Sequence, residues 1–186
     1  MAAFPRLTLN DLSKIAVFAA IIAILGLPGS INLADGVPIT AQTMGVMLAG
    51  AVLGKWRGAA AVFLFEILVA LGFPLLSGGR GGLAVFAGPS AGFLIGWIFG
   101  AFVIGQIAYR TTTRPRVFTI VIGMLIGGIG VVYLFGIPVM AAVTGMNLFA
   151  AAAAASVYMP GDVIKVILST IIVIGLWRAY PKAFAN

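Results

Sequence analysis

Length, composition and charge restrict this chain to the class of integral membrane proteins. It has 186 residues, of which 62% are hydrophobic and 8% are charged, and its mean hydropathy is +1.21. Soluble domains carry roughly 25% charged residues, and no hydrophilic block here is long enough for one. Because cysteine and histidine are absent, disulfides, thiolate catalysis, Cys/His metal sites and histidine acid–base chemistry are excluded. We predict a single membrane domain, residues 1–186, with no catalytic site, no metal site and no cofactor.

The net charge of +7 indicates an orientation in the membrane and not a nucleic-acid partner. The basic residues lie between apolar segments, where lysine and arginine mark the cytoplasmic side of a bilayer. The lipid bilayer is therefore the partner that the charge pattern predicts.

Six apolar segments are long enough to be read as transmembrane helices, which need about 20 residues to cross the hydrocarbon core. Turn residues and basic clusters separate these segments. The expected fold is therefore an all-α bundle of six transmembrane helices. The predicted spans are residues 12–27, 39–54, 58–73, 91–109, 117–135 and 160–177.

The first predicted span carries two staggered pairs of small residues, Ala16 with Ala20 and Ala19 with Ala23. Small residues four positions apart let a second helix approach closely in lipid, where van der Waals packing drives association. Such pairs are common in helix bundles, so they indicate either internal packing or a surface for a partner.

Polar side chains then appear in the second and third spans. Thr40, Gln42 and Thr43 open the second span, where they either cap the helix or form a polar patch at the outer mouth of a cavity. Glu66 lies about 12 Å into the third span at 1.5 Å per residue, near the middle of the bilayer. A glutamate at that depth is expected to be protonated or paired, and Lys165 is the nearest candidate in depth.

A glycine-rich loop, LLSGGRGG at residues 75–82, follows the third span. Its glycines permit almost any backbone path, so we predict a flexible lid or a segment in close backbone contact with a ligand. Arg80 offers a bidentate fork for a carboxylate. In the fourth span, Gly92, Gly96 and Gly100 share one face and predict tight helix packing.

Residues 137–157 are the ambiguous part of the sequence. Pro138, Gly145 and Asn147 interrupt this stretch, although its length nearly allows a further span. A seventh span would also place Arg178 on the side opposite the other basic loops. We therefore predict an outer loop that contains a short helix and partly covers the mouth of the pocket.

With six spans, the basic loops lie on one side of the membrane and Arg80 lies on the other. The positive-inside rule then places both termini in the cytoplasm. Asp162, Lys165 and the region of Gln42 fall at the outer side together with Arg80, which predicts an outward-facing ligand pocket. The residues assigned to the cytoplasmic side are Arg6, Lys14, Lys55, Arg57, Arg110, Arg114, Arg116, Arg178 and Lys182.

The last span contains an acid and a base within the sequence YMPGDVIK at residues 158–165. Asp162 and Lys165 share a helix face, and ionisable groups inside a membrane segment usually mark a substrate or ion path. A structural role is also open, because proline favours the first helical turn and a carboxylate there complements the helix dipole. Lys165 argues against that role, since it lies about one turn deeper than a snorkelling lysine would.

The chemistry of these side chains limits the ligand. Asp162 supplies only acceptors, Lys165 supplies only donors, and Arg80 can clamp a carboxylate. The expected ligand is small, polar at both ends, anionic, and apolar in the middle. Two other hypotheses stay open: a Schiff base at Lys165 with Asp162 as counter-ion, and a stand-alone proton-coupled carrier that uses Glu66.

Three motifs occur in order along the chain: PITAQT at 38–43, GGRGGL at 78–83 with Gly88-Pro89 after it, and YMPGDVIK at 158–165. Together they resemble the BioY family, the biotin-specific S component of energy-coupling factor (ECF) transporters. The resemblance covers most of the chain, and the glycine loop and the last motif are specific in combination.

The resemblance implies a six-helix bundle in the bacterial cytoplasmic membrane whose outward pocket captures biotin with high affinity. It also implies assembly with a transmembrane coupling subunit and two cytoplasmic ATPases. Asp162 and Lys165 would bind the polar ring of biotin, and Arg80 would be a candidate partner for its valerate carboxylate. An S component for another small carboxylated vitamin is the alternative within this class.

These expectations define two sets of residues. The predicted substrate-binding residues are Asp162, Lys165, Arg80, Gln42, Gly79 and Gly81. The predicted partner interface on the first helix consists of Ala16, Ala20, Ala19 and Ala23.

Overall fold

The computed structural model describes residues 8–27, 31–32, 37–109 and 116–184. This part of the chain is almost entirely helical, and its two strands, β1 (Ile31–Asn32) and β2 (Pro38–Ile39), form one short antiparallel pair. The helices are α1 (Leu9–Ile24), α2 (Gln42–Ala70), α3 (Ala91–Ala108), α4 (Val117–Thr144), α5 (Leu148–Ser156) and α6 (Met159–Ala179). The predicted cytoplasmic residues Arg6, Arg110 and Arg114 lie outside the described ranges.

Helix α2 is a hairpin and contains both the second and the third predicted span. Gly54 has φ +77°, which breaks the helical path, and Gly58 packs against the backbone of Ala49 and Gly50. A residue eight positions further along a straight helix would lie about 12 Å away, so the two halves fold back on each other. The second helix begins at Gln42 and not at Ile39, because Ile39 belongs to β2.

The reversal at Gly54 is held by α3. A Cβ at Gly105 would overlap the backbone of Gly54 and Lys55, so only glycine lets α3 approach the turn. The Tyr109 hydroxyl donates to the carbonyls of Ala51 (2.8 Å) and Val52 (3.0 Å) at the same end of the hairpin. These contacts from the end of α3 stabilise the turn between the two halves of α2.

The predicted glycine seam of α3 is confirmed as a helix-packing surface. A Cβ at Gly92 would overlap the carbonyl oxygen of Phe135, and one at Gly100 would lie 2.7 Å from the carbonyl oxygen of Gly127. Both of these carbonyl groups belong to residues of α4. Small residues therefore bring α3 and α4 into backbone contact along the bundle.

Helix α4 corrects the prediction of an outer loop over residues 137–157. The helix continues to Thr144 with Pro138 inside it, as membrane helices tolerate when their surroundings satisfy the freed carbonyl. Gly145 ends it in the left-handed conformation at φ +73°. The predicted short helix is α5, where the Asn147 side chain accepts from the Ala150 N–H at 2.8 Å.

Within the part of the chain that the structure describes, three helices, α3, α4 and α6, are long and apolar enough to cross a membrane by length and composition. Only 28% of the residues in the most apolar stretch of α6 are buried, against 61% of those in α3. Its outer face exposes Ile164, Ile167, Leu168 and Ile171. An apolar face of this length suits lipid, which agrees with a multi-pass membrane protein.

We predict that Gly105→Ala lowers the free energy of unfolding by about 1–3 kcal/mol, because backbone atoms at the hairpin cannot rotate away from a methyl group. The matched control is Gly175→Ala, where an added Cβ meets no atom within 4 Å. Alanine favours a helix over glycine, so the control should be neutral or stabilising. Thermal unfolding in detergent measures both, and equal losses would contradict the packing assigned to Gly105.

Candidate functional site

One cavity lies at the end of the bundle where α2, α3 and α6 begin. The space between its walls, together with the open solvent at its mouth, amounts to about 640 Å³. Its wall is formed by Val37, Thr40, Gln42, Thr43, Leu76, Arg80, Ser90, Phe93, Leu94, Trp97, Gly128, Val132, Tyr133, Tyr158, Asp162 and Lys165.

The charged centre of this wall is the pair Asp162 and Lys165. Both belong to the first two turns of α6, three residues apart, and the Lys165 Nζ lies 2.9 Å from the Asp162 Oδ1. Lys165 also donates to the Thr43 hydroxyl at 2.8 Å, and Tyr133 donates to the Asp162 Oδ2 at 2.7 Å. Three helices, α2, α4 and α6, therefore contribute to one buried polar network.

This network leaves binding capacity on both charged groups. An ammonium has three donors, and the described residues supply acceptors for two of them, Asp162 and Thr43. A carboxylate has about four acceptor positions, and two are used, by Tyr133 and Lys165. The site can therefore accept a ligand that carries both N–H donors and a carbonyl.

Aromatic rings line the cavity beside the charged pair. Phe93 makes edge-to-face contacts with Tyr133 (5.9 Å between centroids) and Tyr158 (6.4 Å). Trp97 follows Phe93 by one helical turn and packs near Phe65 at 6.3 Å. These rings form an apolar wall beside the charged pair.

Arg80 reaches the same cavity from a tight turn. Leu76 and Arg80 pair as an isolated β-bridge, and Gly78 and Gly79 turn the chain between them at φ +78° and +69°. The Arg80 Nε donates to the Ser77 carbonyl at 3.3 Å. The loop that the sequence predicted as a flexible lid or a ligand-contacting backbone is thus an ordered turn that carries the guanidinium.

The two glycines predicted to contact substrate, Gly79 and Gly81, occupy positions where the backbone of the turn requires glycine. Gly79 supplies the left-handed backbone of the turn, and a Cβ at Gly81 would overlap the Phe73 carbonyl. Neither is among the described residues that line the cavity. Both therefore shape the Arg80 turn through the backbone.

Gln42 lines the cavity, but its amide is bonded to the protein. It donates to the carbonyls of Ile22 (3.2 Å) and Leu75 (3.0 Å) and accepts from the Ser77 N–H at 3.1 Å. Its side chain connects the end of α1 to the Arg80 turn.

Of the two alternatives for Glu66, protonated or paired with Lys165 as the nearest candidate, the structure does not contain the pairing. Lys165 is bonded to Asp162 and Thr43, and the buried Oε1 of Glu66 has no hydrogen-bond partner among the described residues. Glu66 is also not one of the described residues that line the cavity. Depth along a helix suggested the pair, but depth does not specify which face a helix turns to its neighbour.

The small residues of α1 separate into two faces. Ala16 and Ala20 are exposed, whereas Ala19 is 4% exposed within the core and Ala23 packs against the core. Ala19 is therefore not available as a partner surface, which corrects that part of the prediction. The four positions span about 100° of the helix circumference, so this strip crosses from the exposed face to the buried face of α1, with Ala19 at its buried edge.

Sequence reasoning missed the aromatic part of the site. Phe93 and Trp97 are four residues apart on one helix face, a spacing visible in the sequence, and Tyr158 is the first residue of the motif at 158–165. Tyr133 had no local signal beyond a hydroxyl inside an apolar span. Ser90 is a further missed wall residue, whereas Thr40 and Thr43, which the sequence analysis considered as a polar patch at the mouth of a cavity, do line it.

The fold and the site define a helical membrane protein with a ligand cavity at one end of its bundle, and comparisons with known proteins agree. The model of the BioY family matches residues 2–182. The biotin transporter BioY of Rhizobium etli is 47% identical, covering 92% of this chain and 95% of that protein, and the one of Rhodobacter capsulatus is 44% identical, covering 94% and 96%. This chain belongs to the BioY family.

A solved structure supports the fold directly. A crystal structure of the S-component for biotin from an ECF-type ABC transporter matches with a TM-score of 0.86 at 35% sequence identity, covering 95% of both chains. The resemblance inferred from three short motifs is therefore confirmed along nearly the whole chain.

We predict that Lys165→Met alone lowers the free energy of unfolding by roughly 3–5 kcal/mol, because it leaves the buried Asp162 carboxylate without its cation. Adding Asp162→Asn should recover much of this loss, since no unpaired charge then remains. Thermal unfolding of the ligand-free protein in detergent measures Lys165→Met, Asp162→Asn and the double variant. A double variant that loses the sum of the two single losses would show that the groups do not act as a pair.

Proposed function

We propose that this chain is the biotin-binding subunit of an ECF-type vitamin uptake transporter. The observation that carries the proposal is one cavity that combines the Asp162–Lys165–Tyr133 network, an aromatic wall and the Arg80 guanidinium. Biotin has the matching features, a ureido ring with N–H donors and a carbonyl, an apolar body, and a carboxylate. The names of its relatives point to the same ligand.

In the proposed arrangement, the ureido ring lies at Asp162 and Lys165. The carboxylate of Asp162 accepts from a ureido N–H, and the remaining Lys165 donor reaches the ureido carbonyl. The valerate carboxylate lies at Arg80, and Phe93 and Trp97 cover the apolar portion between the two ends. Another small vitamin with a carboxylate is the alternative ligand, and it would use the same two polar ends.

The proposed topology has six transmembrane segments: α1, the two halves of α2 on either side of Gly54, α3, α4 and α6. Helix α5 lies beside the cavity end and is not a span. Both termini are cytoplasmic, and the cavity opens to the outer side of the bacterial cytoplasmic membrane. This orientation follows from the basic loops of the sequence.

Uptake requires partners in this proposal. A transmembrane coupling subunit and two cytoplasmic ATPases supply the energy, because the sequence of this chain contains no nucleotide-binding motif. Ala16 and Ala20 form a flat exposed strip on α1, which suits close approach of a partner helix. Ala23 borders this strip, and Ala19 is excluded from it by burial.

We predict that the purified chain binds biotin and that Asp162→Asn or Lys165→Ala weakens binding by about 2 kcal/mol or more, roughly 30-fold. The matched control is Thr170→Val, a buried hydroxyl two turns further along α6 that does not line the cavity. Calorimetry with biotin and with other carboxylated vitamins measures affinity and selectivity. Unchanged biotin affinity in both site variants would overturn the site, and preference for another vitamin would favour the alternative ligand.

The proposed orientation predicts the labelling of single cysteines, since the chain has none of its own. Leu83→Cys, on an exposed turn next to Arg80, should react with a membrane-impermeant maleimide in intact bacteria. Lys182→Cys, beyond the end of α6, should react only after the cells are opened. The reverse pattern would contradict cytoplasmic termini.

A further inference from the structure

The Gln42 amide occupies the junction between α1, α2 and the turn that carries Arg80. Its side chain is 1% exposed, so its hydrogen bonds are made away from water. Both N–H donors are used, on the carbonyls of Ile22 and Leu75, and the oxygen accepts from the Ser77 N–H. Such a fully bonded amide has little capacity left for a ligand.

The bonds of Gln42 fix the base of the Arg80 turn. Leu75 and Ser77 flank Leu76, whose carbonyl accepts from the N–H of Arg80 at 3.2 Å and whose N–H donates to the Arg80 carbonyl at 3.0 Å. The guanidinium in turn donates to the Ser77 carbonyl. Movement of residues 75–77 would therefore move the Arg80 backbone and its side chain together.

Gly26 provides a second, independent indication that the position of this amide is constrained. A Cβ at Gly26 would lie 3.0 Å from the Gln42 Cδ, 3.0 Å from its Nε2 and 3.0 Å from the Leu75 oxygen. These distances are too short for the amide and the Leu75 carbonyl to keep their places. A Cβ at residue 26 would therefore require the Gln42 amide and the Leu75 carbonyl to shift by a few tenths of an ångström.

We infer that Gln42 is a positioning residue for ligand carboxylate recognition: it holds the Arg80 turn against α1 and so places the guanidinium in the cavity. The inference rests on the proposed function, in which Arg80 binds the carboxylate. It differs from the sequence prediction, which assigned Gln42 to direct substrate contact. A contact residue would affect every ligand that fills the cavity, whereas a positioning residue for Arg80 affects only ligands with a carboxylate.

The experiment compares biotin with biotinamide, which keeps the ring and the chain but has no charge. Calorimetry in detergent gives the affinity of each ligand for the wild type and for Arg80→Ala, Gln42→Leu and the double variant. We expect Gln42→Leu to lose at least 10-fold in biotin affinity and less than 3-fold in biotinamide affinity. The double variant should lose little more than Arg80→Ala, because both changes remove the same interaction.

Two further variants separate positioning from general destabilisation. Gly26→Ala should show a selective loss in the same direction as Gln42→Leu but smaller, since its methyl pushes against the amide and the Leu75 carbonyl. Tyr109→Phe also removes two hydrogen bonds to α2 carbonyls, but at the opposite end of the hairpin. It should leave the ratio of the two affinities unchanged.

A structural measurement does not depend on the ligand. Trypsin cleavage after Arg80, followed by mass spectrometry, should be at least 10-fold faster in Gln42→Leu, and faster by a smaller factor in Gly26→Ala, than in the wild type or Tyr109→Phe. Equal loss of both ligands, additive losses in the double variant, or unchanged cleavage would each overturn the inference while the proposed function stands. Absence of biotin binding by the wild type would instead overturn the proposed function, and the cleavage rates would still test the bracing by Gln42.

Discussion

The buried ion pair of Asp162 and Lys165 is the interaction on which the cavity end of this protein depends. Removing two charges from water costs several kcal/mol for each ion, and their attraction offsets that cost only when the remaining donors and acceptors are also bonded. Tyr133 and Thr43 supply those bonds from α4 and α2. The pair can therefore exist only where three helices meet, so it constrains their arrangement as much as it prepares a binding site.

Glycines provide the close helix packing that brings these side chains together. Gly54 and Gly58 fold α2 into a hairpin, which returns the chain after α2 to the level of Gln42. Gly105 fixes the turn of that hairpin, and Gly92 brings α3 against α4. These contacts help to bring the start of α2, the Arg80 turn and the start of α6 to the same end of the bundle.

Sequence reasoning predicted the features that depend on local spacing. The i,i+3 relation of Asp162 and Lys165, the glycine seam of α3 and the reversal near Lys55 all follow from residues close in sequence, and the structure contains them. The positions of the predicted spans likewise correspond to helices, although the extension of α4 beyond Pro138 was missed. A proline usually ends a helix in water, but its surroundings decide its effect within a bundle.

Features that depend on which helix faces which could not be predicted in this way. Lys165 is bonded to Asp162 and Thr43 and not to Glu66. Tyr133 of α4 is bonded to Asp162, although no sequence motif marks Tyr133. Gln42 was correctly located at the cavity, yet its bonding partners come from α1 and from the loop more than thirty residues later. Each of these outcomes depends on tertiary contacts between segments that are distant in sequence. Such contacts cannot be predicted from the residue pattern of a single sequence.

The distribution of polar and apolar residues along the bundle argues for capture of a ligand at one end. Thr43, Trp97, Gly128 and Lys165 are the deepest wall residues on their helices, and below them the interior is a packed apolar cluster that includes Met47, Ile104, Met124 and Val166. Buried Ser169 and Thr170 are the polar side chains of α6 in this region, so the interior below the cavity is mostly, but not entirely, apolar. Release to the opposite side of the membrane would require these helices to repack or the whole bundle to reorient. Either change would have to separate or move helices that are packed together at the cavity end.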